Sequence, residues 1–370
     1  MNEAESLNLP HLARRVVSAR EFAGLTQSQL SRKVGFKDRQ TLAAIEADQR
    51  RVGVSELLAI IKATGKDLDF FADPFRIVGE GGFSYRAKGS EEVALDDFEE
   101  RVGKWLALWR YLSEKRGRPP RILRPRLALH EKSTFEEAQR AGEQVARDLK
   151  LGKVPAERLA GAIEQELEIL LLHADMPKGV SGAAVQLSGG DSILINRKEP
   201  GSRQAFDLAH ELFHVLTWDA MPPERVDREE PTRYKAKRIE QLADNFAGAL
   251  LMPGENLTQL WAAKPATQGM DEWISSVADV FQVSKPALAW RLVALGLIAR
   301  GDWSQSSKKT RDRKDAETPP AFSRQYLERV AQGITHGDVS VRRVLEILDL
   351  DLHGLRTLCK SHAVPLEVGL

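Results

Sequence analysis

Apolar residues recur mostly at helical spacing along the chain, in blocks set apart by polar or glycine-rich breaks. Over 12–72 the blocks are short. Thr26-Gln27-Ser28-Gln29 has capping-box form and opens a helix with Leu30 and Val34 inward, stopped by Gly35. Leu42 and Ile45 mark a second helix, and Leu57, Leu58, Ile60 and Ile61 a further one. The pattern thins through 78–82, a linker or hairpin edge, and resumes over 93–117 with Phe98, Val102, Trp105, Leu106 and Trp109. After a Pro- and Arg-rich break at 118–125, residues 135–149 and 156–168 read as amphipathic helices. The period then shifts toward strands at 169–173, 180–187 and 192–196, the last two joined by Ser188-Gly189-Gly190-Asp191. The first of these could equally end the preceding helix. Helices return at 203–216, with Ser202 as N-cap, and at 236–251, stopped by Pro253. Residues 277–297 suggest two short helices around a turn at Val283-Ser284. A polar stretch, 301–320, has almost nothing to bury and reads as a linker, and 322–366 returns to helical spacing. No internal repeat is visible.

A length of 370 residues exceeds what one core usually organises, so several domains are expected. The pattern predicts an α+β protein with an N-terminal helical domain at 12–73, a connecting helical region at 74–133, a central domain with a small sheet at 134–300, the linker at 301–320 and a helical C-terminal region at 321–370. Basic and acidic residues nearly balance, at 54 against 53, so a nucleic-acid role needs a local basic face. The single cysteine, Cys359, excludes an internal disulfide or a Cys-rich zinc module and suits a reducing cytosol. No apolar run approaches a membrane span and the first residues do not read as a signal peptide, so a cytoplasmic location without membrane contact is expected.

The sharpest chemical signal is His210-Glu211-Leu212-Phe213-His214. On a helix, positions i and i+4 share a face, roughly 6 Å apart along the axis. Two imidazoles so placed can hold one zinc ion, and Glu211 can deprotonate a water activated by it. Composition alone produces an HExxH string in roughly one chain of this length in a hundred, so a third ligand is needed to strengthen the case. Glu240 supplies a candidate, 26 residues after His214 on the next helix. Asp244, one turn later, could fix a ligand histidine's tautomer. Taken alone, Glu240 and Asp244 would be solvated positions of an amphipathic helix.

The chain from 180 to 253 resembles the ImmA/IrrE family of zinc metallopeptidases, through Ser181-Gly182-Ala183, Ile193-Leu194-Ile195-Asn196, Ala209-His210-Glu211-Leu212, and Glu240 with Ala247-Gly248-Ala249-Leu250-Leu251-Met252-Pro253. The resemblance implies a zincin-like fold, His210, His214 and Glu240 as ligands and Glu211 as the base. Phe213 stands where relatives commonly carry Gly, so its bulk is expected to alter the cleft, and Asp244 stands where they commonly carry Asn. Met252-Pro253 is read as a helix end without chemistry.

Residues 12–72 are similar to an XRE-type helix-turn-helix, through Leu25-Thr26-Gln27, Leu30, Val34-Gly35 and Ile45-Glu46. From Leu12 to Lys66 the balance is eleven basic to five acidic residues, the local excess that duplex DNA requires. Arg39, Gln40 and Thr41 are the expected base or phosphate contacts. The interval from Gly35 to Glu46 is one residue longer than usual for the family, and Asp48 replaces its common Gly. A helical protein-interaction domain is the alternative.

The expectation is therefore a zinc-dependent endopeptidase coupled to DNA binding. The resemblance implies a regulatory substrate, a transcriptional repressor or antitoxin-like protein, in transcription regulation or stress response. The alternatives are a DNA-binding regulator with a structural or vestigial zinc site, and a scaffold with neither activity. Trp105 and Trp109 are read as core or interdomain contacts, His173 as structural and Cys359 as a partly buried thiol. Residues 277–297 resemble a further short helix-turn-helix that packs on the peptidase domain.

Overall fold

A computed structural model of the chain describes residues 11–78, 82–87, 92–117, 127–187, 190–222, 233–301, 303 and 318–367. The expected break at 118–125, the Ser188-Gly189 turn and nearly all of the expected linker at 301–320 lie outside these residues. Five helices open the chain: α1 (Leu12–Phe22), α2 (Gln27–Val34), α3 (Arg39–Glu46), α4 (Val54–Thr64) and α5 (Leu68–Ala72). Thr26 Oγ1 accepts from Gln29 N while Gln29 Oε1 accepts from Thr26 N, so two of α2's orphan donors are satisfied. Gly35, at φ 83°, ends α2, and the Asp38 carboxylate accepts from Thr41 N to start α3. Val16, Leu30, Leu42, Ile45, Leu57, Ile60 and Phe71 close the core between them. Leu58 is 58% exposed because it lies about 100° from Leu57 and about 160° from Ile60 around α4. Asp48, in place of the common Gly, takes φ 56°, a conformation that Asp tolerates better than most residues.

The sheet has the order β1-β3-β4-β2. It contains β1 (Gly82–Ala87), β2 (Leu170–Ala174), β3 (Val180–Leu187) and β4 (Gly190–Asn196). β3 and β4 form an antiparallel hairpin, β2 runs parallel to β4, and β1 pairs antiparallel with β3 from Gly82–Gln186 to Ala87–Val180. The 169–173 run is thus a strand. β1 was unforeseen, since 74–133 was read as helical. Alternation along the strands sends Leu171, Ala184, Ile193 and Ile195 to one core and Leu170, Leu172, Ala183, Val185 and Leu194 to another. Burial of both faces is why these strands read as continuous apolar runs.

Helices cover the two faces. α6 (Glu92–Lys115) lies on one side, and α7 (Phe135–Asp148), α8 (Pro155–Gln165), α9 (Gly201–Thr217), α10 (Arg233–Leu251), α11 (Gly254–Ala262), α12 (Met270–Phe281) and α13 (Lys285–Ala294) belong to the other. The last two pack into the core of α9 and α10. Ser202 does not cap α9. The helix begins two residues earlier, at Gly201, with Pro200 at the N-cap position and no side-chain cap. α14 (Arg324–Thr335), α15 (Val341–Leu348) and α16 (Leu352–Ser361) pack on α6, sharing its core. Trp105 Nε1 donates to Ile347 O and Tyr326 Oη donates to Trp105 O, both at 3.1 Å, while Trp109 stacks on Tyr326. Arg343 reaches back to Asp73 at 2.6 Å, just after α5. Among the described residues no helix is long and apolar enough to cross a membrane.

α7 and α10 make the most intimate helix pair among the described residues. A Cβ on Gly142 would lie 2.3 Å from Phe246 O and 3.0 Å from Leu250 N, both backbone atoms that cannot swing aside. Gly142→Ala is therefore expected to force α7 off α10 and destabilise the fold by about 1–3 kcal/mol. Urea or thermal unfolding checks this, and a curve superimposable on wild type would contradict so tight a crossing.

Candidate metal centre

α9 carries His210, Glu211 and His214 inward from its packing on β3 and β4, and all three are buried. α10 is brought alongside by apolar contacts: Phe213 lies 5.5 Å from Phe246, and Ala209, Leu212, Ala243 and Phe246 are sealed in the same core. Phe213 is thus wholly buried behind the histidines, its ring also 5.6 Å from that of His214. Its bulk therefore goes into the core between His214 and Phe246.

The same packing brings Glu240 over both rings. Its Oε2 lies 3.3 Å from His210 Nε2 and its Oε1 3.3 Å from His214 Nε2, while the two Nε2 atoms are 3.2 Å apart. One donor atom from each residue lies within 4.8 Å of the others, so the group could hold a metal ion. One turn along α10, Asp244 Oδ1 sits 3.0 Å from His210 Nδ1. A carboxylate can only accept, so Nδ1 carries a proton, and when the ring is neutral, as a metal ligand must be, the Nε2 lone pair faces the other donors.

Electrostatics follow from burial and from the crowding of these groups. Burial disfavours a charged His210, but hydrogen bonds to Asp244 and Glu240 outweigh it and raise the ring to about 10. Burial wins at His214, whose pKa is lowered. Glu240 is also penalised by burial, yet its hydrogen bonds to the two rings hold it well below the usual carboxylate range. Glu211 is pushed up to about 8, chiefly by burial, with the His210 charge opposing and Glu240 reinforcing. Its Oε2 is buried without a hydrogen-bond partner. A buried carboxyl oxygen left open beside three converging donors is unusual in a purely structural setting.

Two supports of the cluster escaped the sequence reading. Gly182 of β3 lies against Glu211, where a Cβ would come within 2.9 Å of Cγ and 3.0 Å of Oε1. A lone glycine inside a strand is the signal for such an approach. Arg291 of α13, buried, donates to Met252 O at 3.1 Å and to Gln139 Oε1 at 3.1 Å, and pairs with Glu143. Glu143 Oε1 accepts from Gly254 N at 2.9 Å, so the chain leaving α10 is held from both sides.

The remaining candidates lie elsewhere. Arg39 and Gln40 are exposed on the first turn of α3, and Thr41 is half-buried with its hydroxyl 3.1 Å from Asp38 Oδ1. Cys359 is buried in the core on the far face of the sheet. His173 belongs to β2, and its carbonyl accepts from Phe322 N at 2.7 Å.

Comparison with known proteins places both halves of this arrangement. Residues 164–293 match the peptidase family model described as IrrE N-terminal-like domain, and residues 18–71 match that of a helix-turn-helix. No curated protein and no solved structure matches the chain. The chain thus joins an XRE-type helix-turn-helix domain to a peptidase domain of the ImmA/IrrE type.

Proposed function

We propose that the chain is a cytoplasmic, zinc-dependent regulatory endopeptidase, coupled to DNA binding, whose substrate is a transcriptional repressor or antitoxin-like protein. The observation that carries the peptidase reading is the spacing of the three donors. Ligands bound at about 2.0–2.1 Å around a tetrahedral ion stand about 3.3 Å from one another. The two Nε2 atoms stand 3.2 Å apart, close to such an edge, each lies 3.3 Å from its own oxygen of Glu240, and one donor atom from each residue falls within 4.8 Å of the others; two imidazoles with one carboxylate are a donor set that zinc accepts.

A zinc ion held there would supply Lewis acidity toward a peptide carbonyl and a water molecule. The rest falls to the protein. Asp244 holds His210 in the tautomer that keeps Nε2 available. Glu240 balances charge from the second helix. Glu211, with one oxygen anchored near the Ala184 backbone N–H and the other open, in its ionised form takes a proton from the attacking water and delivers it to the departing amine. A structural metal site has no use for that open buried carboxyl, which favours the enzyme over the regulator with a vestigial site. Arg39, Gln40 and Thr41, on the first turn of a helix-turn-helix's second helix, are proposed to meet bases or phosphates in the major groove.

Purified protein is expected to carry about one zinc per chain, and His214→Ala and Glu240→Ala to lose it. Metal analysis checks this, and full stoichiometry in both variants would remove these residues from the site. Glu211→Gln keeps the shape but loses the proton acceptor. It should retain zinc while cleavage falls by about 100-fold or more. Equal cleavage by wild type and variant would assign the base elsewhere, and no cleavage of any co-encoded repressor by wild type would leave the regulator reading in place. On the DNA side, the full chain should bind duplex DNA with steep salt dependence, and Arg39→Ala should weaken that binding by about 10-fold. Titration at two salt concentrations measures it, and no binding at low salt would turn this domain to protein recognition.

A further inference from the structure

α15 and α16 repeat the caps, the left-handed turn residue and the burial positions of α2 and α3. α2 and α15 are each eight residues long, and each follows a hydroxyl N-cap, Thr26 or Ser340, that accepts from the backbone N–H three residues on. The fourth residue is fully buried in both, Leu30 and Val344, and the eighth packs on the core, Val34 and Leu348. Each helix ends on a left-handed residue, Gly35 at φ 83° or Asp349 at φ 54°, followed by an apolar residue folded onto the core, Phe36 or Leu350. An aspartate then caps the next helix: Asp38 accepts from Thr41 N and Asp351 from Gly354 N. In the second helix the fourth residue is again buried, Leu42 and Leu355, and the seventh packs inward, Ile45 and Leu358. The difference is one residue in the turn: four residues separate α2 from α3, and three separate α15 from α16.

The outer face of α16 has the charge that the corresponding face of a groove-reading helix needs. His353, Arg356, Thr357 and Lys360 lie along it at helical spacing, with Arg356 and Lys360 exposed, and no acid occurs in the helix. Of the neighbouring acids, Asp349 in the turn is exposed and the other two are engaged. Asp351 caps the helix and Glu346 pairs with Arg343 at 2.8 Å. Arg342, on the second residue of α15, is exposed beside it. Arg343 itself is turned away, paired with Asp73 and lying over the Phe75 ring. That contact ties this unit to the end of the first helix-turn-helix.

We propose that α15 and α16 form a second helix-turn-helix and that α16 binds duplex DNA through Arg356 and Lys360, with His353 and Thr357 facing the groove. The site is bipartite: α3 supplies one contact region and α16 another, on one chain whose two units are joined through Arg343 and Asp73.

The test uses the full-length chain and a fluorescent duplex of mixed sequence spanning about four helical turns, titrated across a salt series. Reversing both charges, Arg356→Glu with Lys360→Glu, should lower affinity by at least about 10-fold and reduce the slope of log K against log salt by about 2, one for each phosphate that the variant no longer neutralises. Both side chains are exposed, so the melting temperature should stay at the wild-type value. If the melt shifts, the milder Arg356→Gln with Lys360→Gln pair replaces it and must still lower the slope. Arg39→Ala serves as the parallel variant in α3. If Arg39→Ala weakens binding while the α16 pair leaves affinity and slope unchanged, the second unit is overturned and the first stands. If the α16 pair alone weakens binding, the second unit stands and the assignment of Arg39 fails. Wild-type protein that does not bind the duplex at low salt overturns both.

Discussion

The metal cluster depends on how closely α10 is pressed between α7 and α9. His210 and His214 are fixed relative to each other by one turn of helix, but Glu240 reaches them only through tertiary packing. A carboxylate displaced by about one ångström would no longer close the triangle of donors. The packing therefore uses residues that leave no slack: Gly142, where a methyl has no room, Ala209 and Ala243, which are sealed, and Phe213 against Phe246. The far end of α10 is secured by charge. Arg291 takes the last carbonyl of the helix region and Glu143 the first amide beyond it, so a half-buried ion pair does here what a capping glycine does at a surface.

The sheet divides the apolar material around it into two cores with separate tasks. One face supports α9 and α10 and so positions His210, His214 and Glu240. The other accepts α6 and the C-terminal helices, and carries none of the metal-cluster residues. Between them, β3 contributes to both, with Ala184 on one side and Ala183 and Val185 on the other. Gly182 gives up a side chain so that Glu211 can lie against the strand.

What could be read from the sequence was mainly local. The capping box at Thr26, the stop at Gly35 and the i, i+4 histidines are encoded by neighbours in the chain, and their geometry follows from helix periodicity alone. β1 was hidden because Gly82–Ala87 is short and its partner strand lies about a hundred residues away, so only pairing makes it a strand. α11 was missed because it buries little besides Leu257, which leaves no periodic stripe to detect. Ser202 was a sound cap by type, but Pro200 already fixes the backbone for helix entry and starts α9 sooner. Trp105 and Trp109 announced a packed helix without saying against what. The likeness of α15 and α16 to α2 and α3 was invisible because it resides in caps, turns and burial, with hardly a shared residue identity.

The pairing of α6 with the C-terminal helices also has a consequence in time. Trp105 is joined to Ile347 across 242 positions and Arg343 to Asp73 across 270. A ribosome that has finished the metal cluster has still not made the helices that cover the opposite face of the sheet. Until residues 324–361 emerge, Trp105, Leu106, Leu172 and Val185 face water or a chaperone. Closing contacts of such long range is slow and entropically demanding. The order of synthesis therefore completes the face that carries His210, His214 and Glu240 before the opposite face of the sheet can be covered.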